Sequence, residues 1–265
     1  MGRPPKVMLF DLDGTLVRTG GAGMRAMGHV FRERFGVENV FQSVVPDGKT
    51  DPMIFLEILE KYDLAFDDEA TLLAELETAY EDRLRAEMPV SPGACVIRGI
   101  PELLDALAGL PGVVMGLLTG NYAATARIKL DRFDLNRYFP FGAFATDSAI
   151  RRELVPVAVR RAEEHAGRPI GVGRHVYVIG DTPRDVECAL DNGATAVGVA
   201  TANNDVGDAP PRGRAFRVRR FFRHAGGSGG FRGRRWTIRP PSKFCAFFMT
   251  KAKSTRRRFG TPRAG

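Results

Sequence analysis

The sequence predicts an open, mostly parallel α/β sheet of the Rossmann-like kind, with a block of helices inserted after the first strand and an irregular basic tail. Three observations carry this prediction. Short apolar runs stop abruptly at polar residues, as strands buried on both faces do. From residue 91 onward such runs alternate with helical patterns, the signature of a parallel sheet. Three helical patterns, however, come between the first run and the second.

Val7-Met8-Leu9-Phe10, stopped by Asp11, is the first predicted strand. Residues 22–35 space Met24, Met27, Val30, Phe31 and Phe35 at helical intervals, and both methionines are expected in the core. A helix over 51–62 takes Asp51 as N-cap and Pro52 as its first residue, with Ile54, Phe55, Ile58 and Leu59 on one face. A third, over 68–87, aligns Leu72, Leu73, Leu76, Tyr80 and Leu84. Residues 20–90 therefore form a helical insertion, with Gly20-Gly21-Ala22-Gly23 as a candidate hinge. Beyond Ser91-Pro92-Gly93, a helix over 101–110 precedes the strand Val113 to Leu118, which ends at Thr119-Gly120-Asn121. Helices follow over 122–132 and 153–166. The strand Val176 to Ile179 then ends at Gly180-Asp181, and a helix over 183–192 leads to the strand Ala196 to Ala200. The expected division is an α/β core from 1–19 and 91–202, the insertion, and a tail over 203–265.

Charge sharpens that division. The 265 residues carry a formal net charge of +8, but 203–265 hold 17 Lys+Arg and only Asp205 and Asp208, a net of +15. The preceding 202 residues hold the remaining 22 bases and 29 acids, a net of −7. A mildly acidic body thus carries a basic tail, and nearly all of the chain's nucleic-acid signal lies in that tail. No apolar run approaches the ~20 residues of a membrane span. Cys95, Cys188 and Cys245 are too widely spaced for a zinc cluster or a disulfide framework. A cytoplasmic protein without a membrane partner is expected; the oligomeric state is not encoded in any recognisable pattern.

The carboxyl ends of strands in parallel sheets are where ligands bind. Here they carry Asp11-Leu12-Asp13-Gly14-Thr15, Thr119-Gly120-Asn121 and Gly180-Asp181-Thr182-Pro183-Arg184-Asp185. Four carboxylates brought together repel one another unless a cation is present. Oxygen ligands alone point to Mg²⁺. Taken singly, each acid is equally well read as an N-cap or turn residue.

Over residues 6–202 these motifs resemble the haloacid dehalogenase superfamily phosphatases that carry a helical cap after the first strand. The resemblance implies that Asp11 is the nucleophile and forms an aspartyl-phosphate, and that Asp13 is the general acid and base. It implies Mg²⁺ held by Asp11, Asp181, Asp185 and the Asp13 backbone carbonyl. Thr119 and the N–H groups of Gly120 and Asn121 would bind phosphate oxygens. Asp13 favours phosphoryl chemistry, since cleavage of a carbon–halogen bond needs no such acid. The family also uses a basic residue before the last motif, often lysine. This chain has no lysine between Lys129 and Lys243, and Arg151 takes the place, with Arg152 as competitor. Gly48-Lys49-Thr50-Asp51 resembles a cap loop of phosphoglycolate-phosphatase-like members; Lys49 reads either as a contact to the substrate anion or as a surface lysine. His29, His165 and His175 are not expected to be catalytic. The implied activity is Mg²⁺-dependent hydrolysis of a small phosphorylated metabolite, with phosphoglycolate the candidate substrate. A phosphomutase of the same architecture is the alternative.

The resemblance ends near Ala202. Residues 203–265 read in two ways, and neither predicts regular structure over most of the segment. In one, a basic arm stacks nucleic-acid bases on Phe216, Phe221, Phe222 and Trp236 while its arginines pair with phosphates. In the other, the segment is a shifted reading frame. With permitted codons, the next frame from the second base of Asp208 can read TRRRAGARFVFDDFSD, a turn, an apolar strand and an acidic turn.

Overall fold

The computed structural model describes residues 4–200, 217–222 and 232–237. Its central strand is β1 (Lys6–Phe10), paired in parallel on both sides, with β4 (Val113–Leu118) and with β6 (Val176–Gly180). Outside β4 lies β5 (Phe141–Ala143), and outside β6 lies β7 (Thr195–Ala200), both parallel. The alternation of side chains along β1 explains its unbroken apolar run. Met8 and Phe10 enter one core with Leu104 and Leu107 of α4 (Ile100–Ala108) and Ala126 and Leu130 of α5 (Ala123–Asp131). Val7 and Leu9 enter another with Leu154 and Ala158 of α6 (Leu154–Ala166) and Cys188 and Ala189 of α7 (Pro183–Asp191). The result is a sheet with helices on both faces and every strand of its parallel part opening toward the same edge.

The inserted helices lie between two short strands, β2 (Val17–Arg18) and β3 (Cys95–Val96), which pair antiparallel where the chain leaves and returns. They are α1 (Ala22–Phe35), α2 (Asp51–Lys61) and α3 (Glu69–Val90). Phe55 packs between Phe31 and Tyr80, with ring centroids 5.8 and 5.9 Å away, and also meets Tyr122 at 6.0 Å. Tyr122 comes from the start of α5, so the apolar core of the insertion extends onto the sheet layer.

Several expectations change. Met24 is 42% exposed, unlike Met27, because the buried stripe of α1 runs through Ala22, Ala26, Val30 and their neighbours Gly23, Met27, Phe31. Thr50, not Asp51, is the N-cap of α2, and Asp51 is its first residue. The third helix continues to Val90 with Pro89 in its last turn. β2, β3 and β5 were not expected; each is only two or three residues long. Within 203–265, the two described segments are strands, β8 (Arg217–Phe222) and β9 (Arg232–Thr237), where no strand was expected. β8 pairs antiparallel with β7, and β9 antiparallel with β8. The rest of the tail, with the expectations placed on it, lies outside the described residues. No helix among the described residues is long and apolar enough to cross a membrane.

Candidate active site

At the carboxyl edge of the sheet, Asp11 directly follows β1 and is buried. Its N–H donates to Ile179 O at 2.8 Å, which anchors it to β6. The chain then turns tightly, with the N–H groups of Thr15, Leu16 and Val17 all directed at Leu12 O. Gly14 stands in that turn at φ 78°, and a Cβ there would lie 2.4 Å from Asp181 Oδ2. Only glycine combines this backbone with this approach. Thr15 Oγ1 completes the link by donating to Asp181 Oδ1 at 3.1 Å. The Asp-Gly-Thr sequence thereby docks against the acid that ends β6.

α7 explains the second motif. Thr182 is its N-cap and Pro183 its first residue. Asp185, at the third position, accepts from Thr182 N–H at 3.0 Å while its own N–H bonds Thr182 Oγ1 at 3.4 Å, a reciprocal capping box. Asp185 is therefore both an N-terminal helix residue and a member of the carboxylate cluster at this edge. A Cβ on Gly180 would fall 2.1 Å from Asp185 Cγ, so glycine is required where β6 passes under that carboxylate.

Oxygens of Asp11, Asp181 and Asp185 all lie within 4.8 Å of one another. Burial, then the charges of Asp185 and Asp181, pushes Asp11 up to about 8 even though Arg151 opposes the shift. Burial and Asp185 push Asp181 up to about 6. Arg151 Nη2 donates to Asp11 Oδ1 at 2.8 Å and also to Asp185 Oδ1. Burial alone would lower its pKa, but Asp185 and Asp11 raise it. Arg152, the competitor, is exposed, and its carbonyl accepts from Asn192. Arg151 Nε is buried without a hydrogen-bond partner. One arginine does not neutralise three acids, so this all-oxygen donor set fits a divalent cation.

Asp13 stands outside that cluster. Its Oδ2 accepts from Asn121 Nδ2 at 2.9 Å and from Lys129 Nζ at 2.7 Å. Asn121 Nδ2 also donates to Thr119 Oγ1 at 2.7 Å, and Lys129 donates to Asn121 Oδ1. Because an ammonium only donates, Lys129 fixes which way the Asn121 amide faces. Lys129 was missed by the sequence reading. Its signal was a charge on the buried stripe of α5, which runs Thr125, Ala126, Lys129, Leu130.

The loop before α2 meets the same edge. Asp51 N–H donates to Gly120 O at 2.7 Å, and Thr50 Oγ1 to Ala149 O at 2.9 Å. The Asp51 carboxylate accepts from Tyr122 N–H at 2.9 Å. Lys49 reaches this junction with its backbone, but its ammonium pairs with Glu57 on α2. His29, His165 and His175 lie elsewhere, against Glu87, Phe141 and Ile170 O.

Solved structures with the same fold include a protein described as a predicted phosphatase from Clostridium acetobutylicum. It is 22% identical with a TM-score of 0.55, covering 74% of this chain and 84% of that one. CbbY from Rhodobacter sphaeroides, solved with phosphate, is 16% identical with a TM-score of 0.54, covering 78% and 92%. A phosphonoacetaldehyde hydrolase-like protein from Oleispira antarctica is 20% identical with a TM-score of 0.57, covering 74% and 72%. No curated protein matches the chain. The family model that does match, over residues 5–193, is that of the haloacid dehalogenase-like hydrolases. With its first motif after β1 and its last between β6 and α7, the chain belongs to that hydrolase family.

Proposed function

We propose that the protein is a Mg²⁺-dependent phosphatase of small phosphomonoesters that works through an aspartyl-phosphate on Asp11. The observation that carries this reading is the position of Asp11, clustered with Asp181 and Asp185 and held 2.8 Å from the Arg151 guanidinium. Asp11, Asp181, Asp185 and the Asp13 carbonyl would hold the metal, which when bound screens the repulsion between a carboxylate nucleophile and a phosphate dianion.

In the first half-reaction an Asp11 carboxylate oxygen attacks phosphorus and the bond to the ester oxygen breaks. That oxygen keeps the bonding pair and takes the Asp13 proton, leaving as the alcohol. In the second, Asp13 takes a proton from water, whose oxygen attacks phosphorus. The bond to Asp11 breaks, its pair returns to the carboxylate, and inorganic phosphate leaves. Arg151 orients Asp11 through its Nη2 bond and brings a fixed positive charge beside the transferred phosphoryl group. The hydroxyl of Thr119 and the N–H groups of Gly120 and Asn121, at the end of β4, complete the phosphate cradle. Residues 20–90 act as the cap, and the loop bearing Lys49 supplies substrate selection. The likeness of that loop to phosphoglycolate-phosphatase-like members makes phosphoglycolate the first substrate to try.

Release of p-nitrophenolate from p-nitrophenyl phosphate, dependent on Mg²⁺ and abolished in Asp11→Asn, is the expected result. Wild-type protein that releases none with Mg²⁺ present overturns the reading.

A further inference from the structure

We propose that Lys129 is a positioning residue for Asp13, acting through it in both proton transfers. The inference rests on the phosphatase reading above and adds a residue that none of the three sequence motifs contains.

A buried lysine requires an explanation, because removing an ammonium from water costs several kcal/mol unless its partners compensate. The Lys129 side chain is 5% exposed. It stands on the buried stripe of α5, beside Ala126 and Leu130. Its hydrogen bonds go to two groups, Asp13 Oδ2 at 2.7 Å and Asn121 Oδ1, while the buried Asp51 carboxylate adds a favourable charge nearby. Asn121 Nδ2 in turn reaches Asp13 Oδ2 at 2.9 Å. Lysine, asparagine and aspartate thus close a ring of three hydrogen bonds. The inserted helices complete its surroundings: a Cβ on Gly23 of α1 would lie 3.5 Å from Lys129 Nζ and 3.1 Å from the Tyr80 hydroxyl of α3.

The ring does two things. Both donors fall on Oδ2, which fixes the rotation of the carboxylate and leaves Oδ1 to carry the proton. It also restrains a side chain that is otherwise 43% exposed and free to rotate. A proton donor held in place is worth more than the same group sampling several rotamers, since misplacement of ~1 Å can cost ~100-fold in rate.

Phenolate leaving groups separate this role from a structural one. p-Nitrophenolate departs without a proton, so the first half-reaction on p-nitrophenyl phosphate does not need Asp13; attack by water in the second does. In Lys129→Met, kcat and KM for this substrate should therefore fall together by ~10–100-fold, leaving kcat/KM close to wild type. A burst of p-nitrophenolate equal to the enzyme concentration should precede slow turnover. Lys129→Gln, which keeps a donor, should recover part of kcat. Should Lys129→Met fail to fold, Lys129→Leu, which likewise removes the ammonium and leaves the phosphate cradle intact, should give the same burst. Unchanged kcat in Lys129→Met, or equal loss of kcat and kcat/KM without a burst in a folded variant, overturns the proposal. Inactive wild-type protein overturns the phosphatase reading instead.

Discussion

The Asp51 carboxylate, in the first turn of α2, accepts a 2.9 Å hydrogen bond from the backbone N–H of Tyr122, at the head of α5. A helix of the insertion is thereby fastened to the turn that follows β4, within three residues of Thr119 and Gly120. Thr125 Oγ1 reaches the same carboxylate oxygen at 3.3 Å. The seam between the inserted helices and the sheet layer is therefore polar as well as aromatic, and one of its polar groups is titratable.

Burial pushes Asp51 up to about 6 from 3.8, against the opposing pull of Lys129 and of the Tyr122 bond. Between those two values the folded chain holds a proton that the unfolded chain has lost, so stability contributed at this site falls as pH rises from about 4 to about 6, then levels off. Asp51→Asn lacks this dependence. Its melting temperature relative to wild type should rise across that interval and stay constant above it. Parallel Tm curves for the two proteins from pH 4 to 7 would contradict the assignment.

Arg151 is the sole cation bonded to both Asp11 and Asp185 among the described residues. Arg151→Met strands two buried carboxylates and should cost about 3–5 kcal/mol without metal, the usual consequence of breaking a buried pair. A divalent cation replaces part of the missing charge, so the loss measured by urea unfolding should shrink in millimolar Mg²⁺. A loss that is the same with and without Mg²⁺ would separate the arginine from the metal site.

The parts of this site that were readable in sequence share a physical cause. Asp11, Thr119 and Asp181 follow strands buried on both faces, and such strands appear as apolar runs that end at a polar residue. Choosing between Arg151 and Arg152 needed the phase of the 3-10 turn over Arg151–Glu153, which points the first inward and leaves the second exposed. Lys129 interrupts the buried stripe of α5, but a lysine on an apolar helix face ordinarily extends its ammonium to water, so that interruption alone does not mark a site. Asp51 was read as a cap for a related reason: local sequence favours an acid in a first helical turn but does not show that the turn faces Tyr122. β2 and β3 have two residues each, too few for any periodicity.

Asp181 receives a 3.1 Å hydrogen bond from Thr15, a residue that is itself not a metal ligand in the proposed site. Thr15→Val preserves shape and removes the donor, leaving Asp181 less well oriented. Mg²⁺ affinity followed by thermal shift should fall about 10-fold, the lower end for groups that orient ligands. Asp181→Asn, which removes a ligand charge, should lose more. Equal affinity in Thr15→Val and wild type would show that Gly14 packing alone places Asp181.

Gly180→Ala tests the tightest of these approaches, and Gly116→Ala controls for it. Both substitutions add a methyl to a buried strand: one meets Asp185 Cγ at 2.1 Å, the other meets Phe141 Cε2 at 2.3 Å. Each should destabilise the fold by about 1–3 kcal/mol, the usual range for overpacking. They differ in what must move. At Gly116 the Phe141 ring shifts within the core between β4 and β5, away from the acids. At Gly180 the Asp185 carboxylate is displaced, breaking its bonds with Thr182 and Arg151 together. Only Gly180→Ala should therefore weaken Mg²⁺ binding beyond the loss of stability, read as a smaller thermal shift at saturating metal. If Gly116→Ala weakens the metal as much, the acidic cluster responds to the whole sheet and not to the contact beneath Asp185.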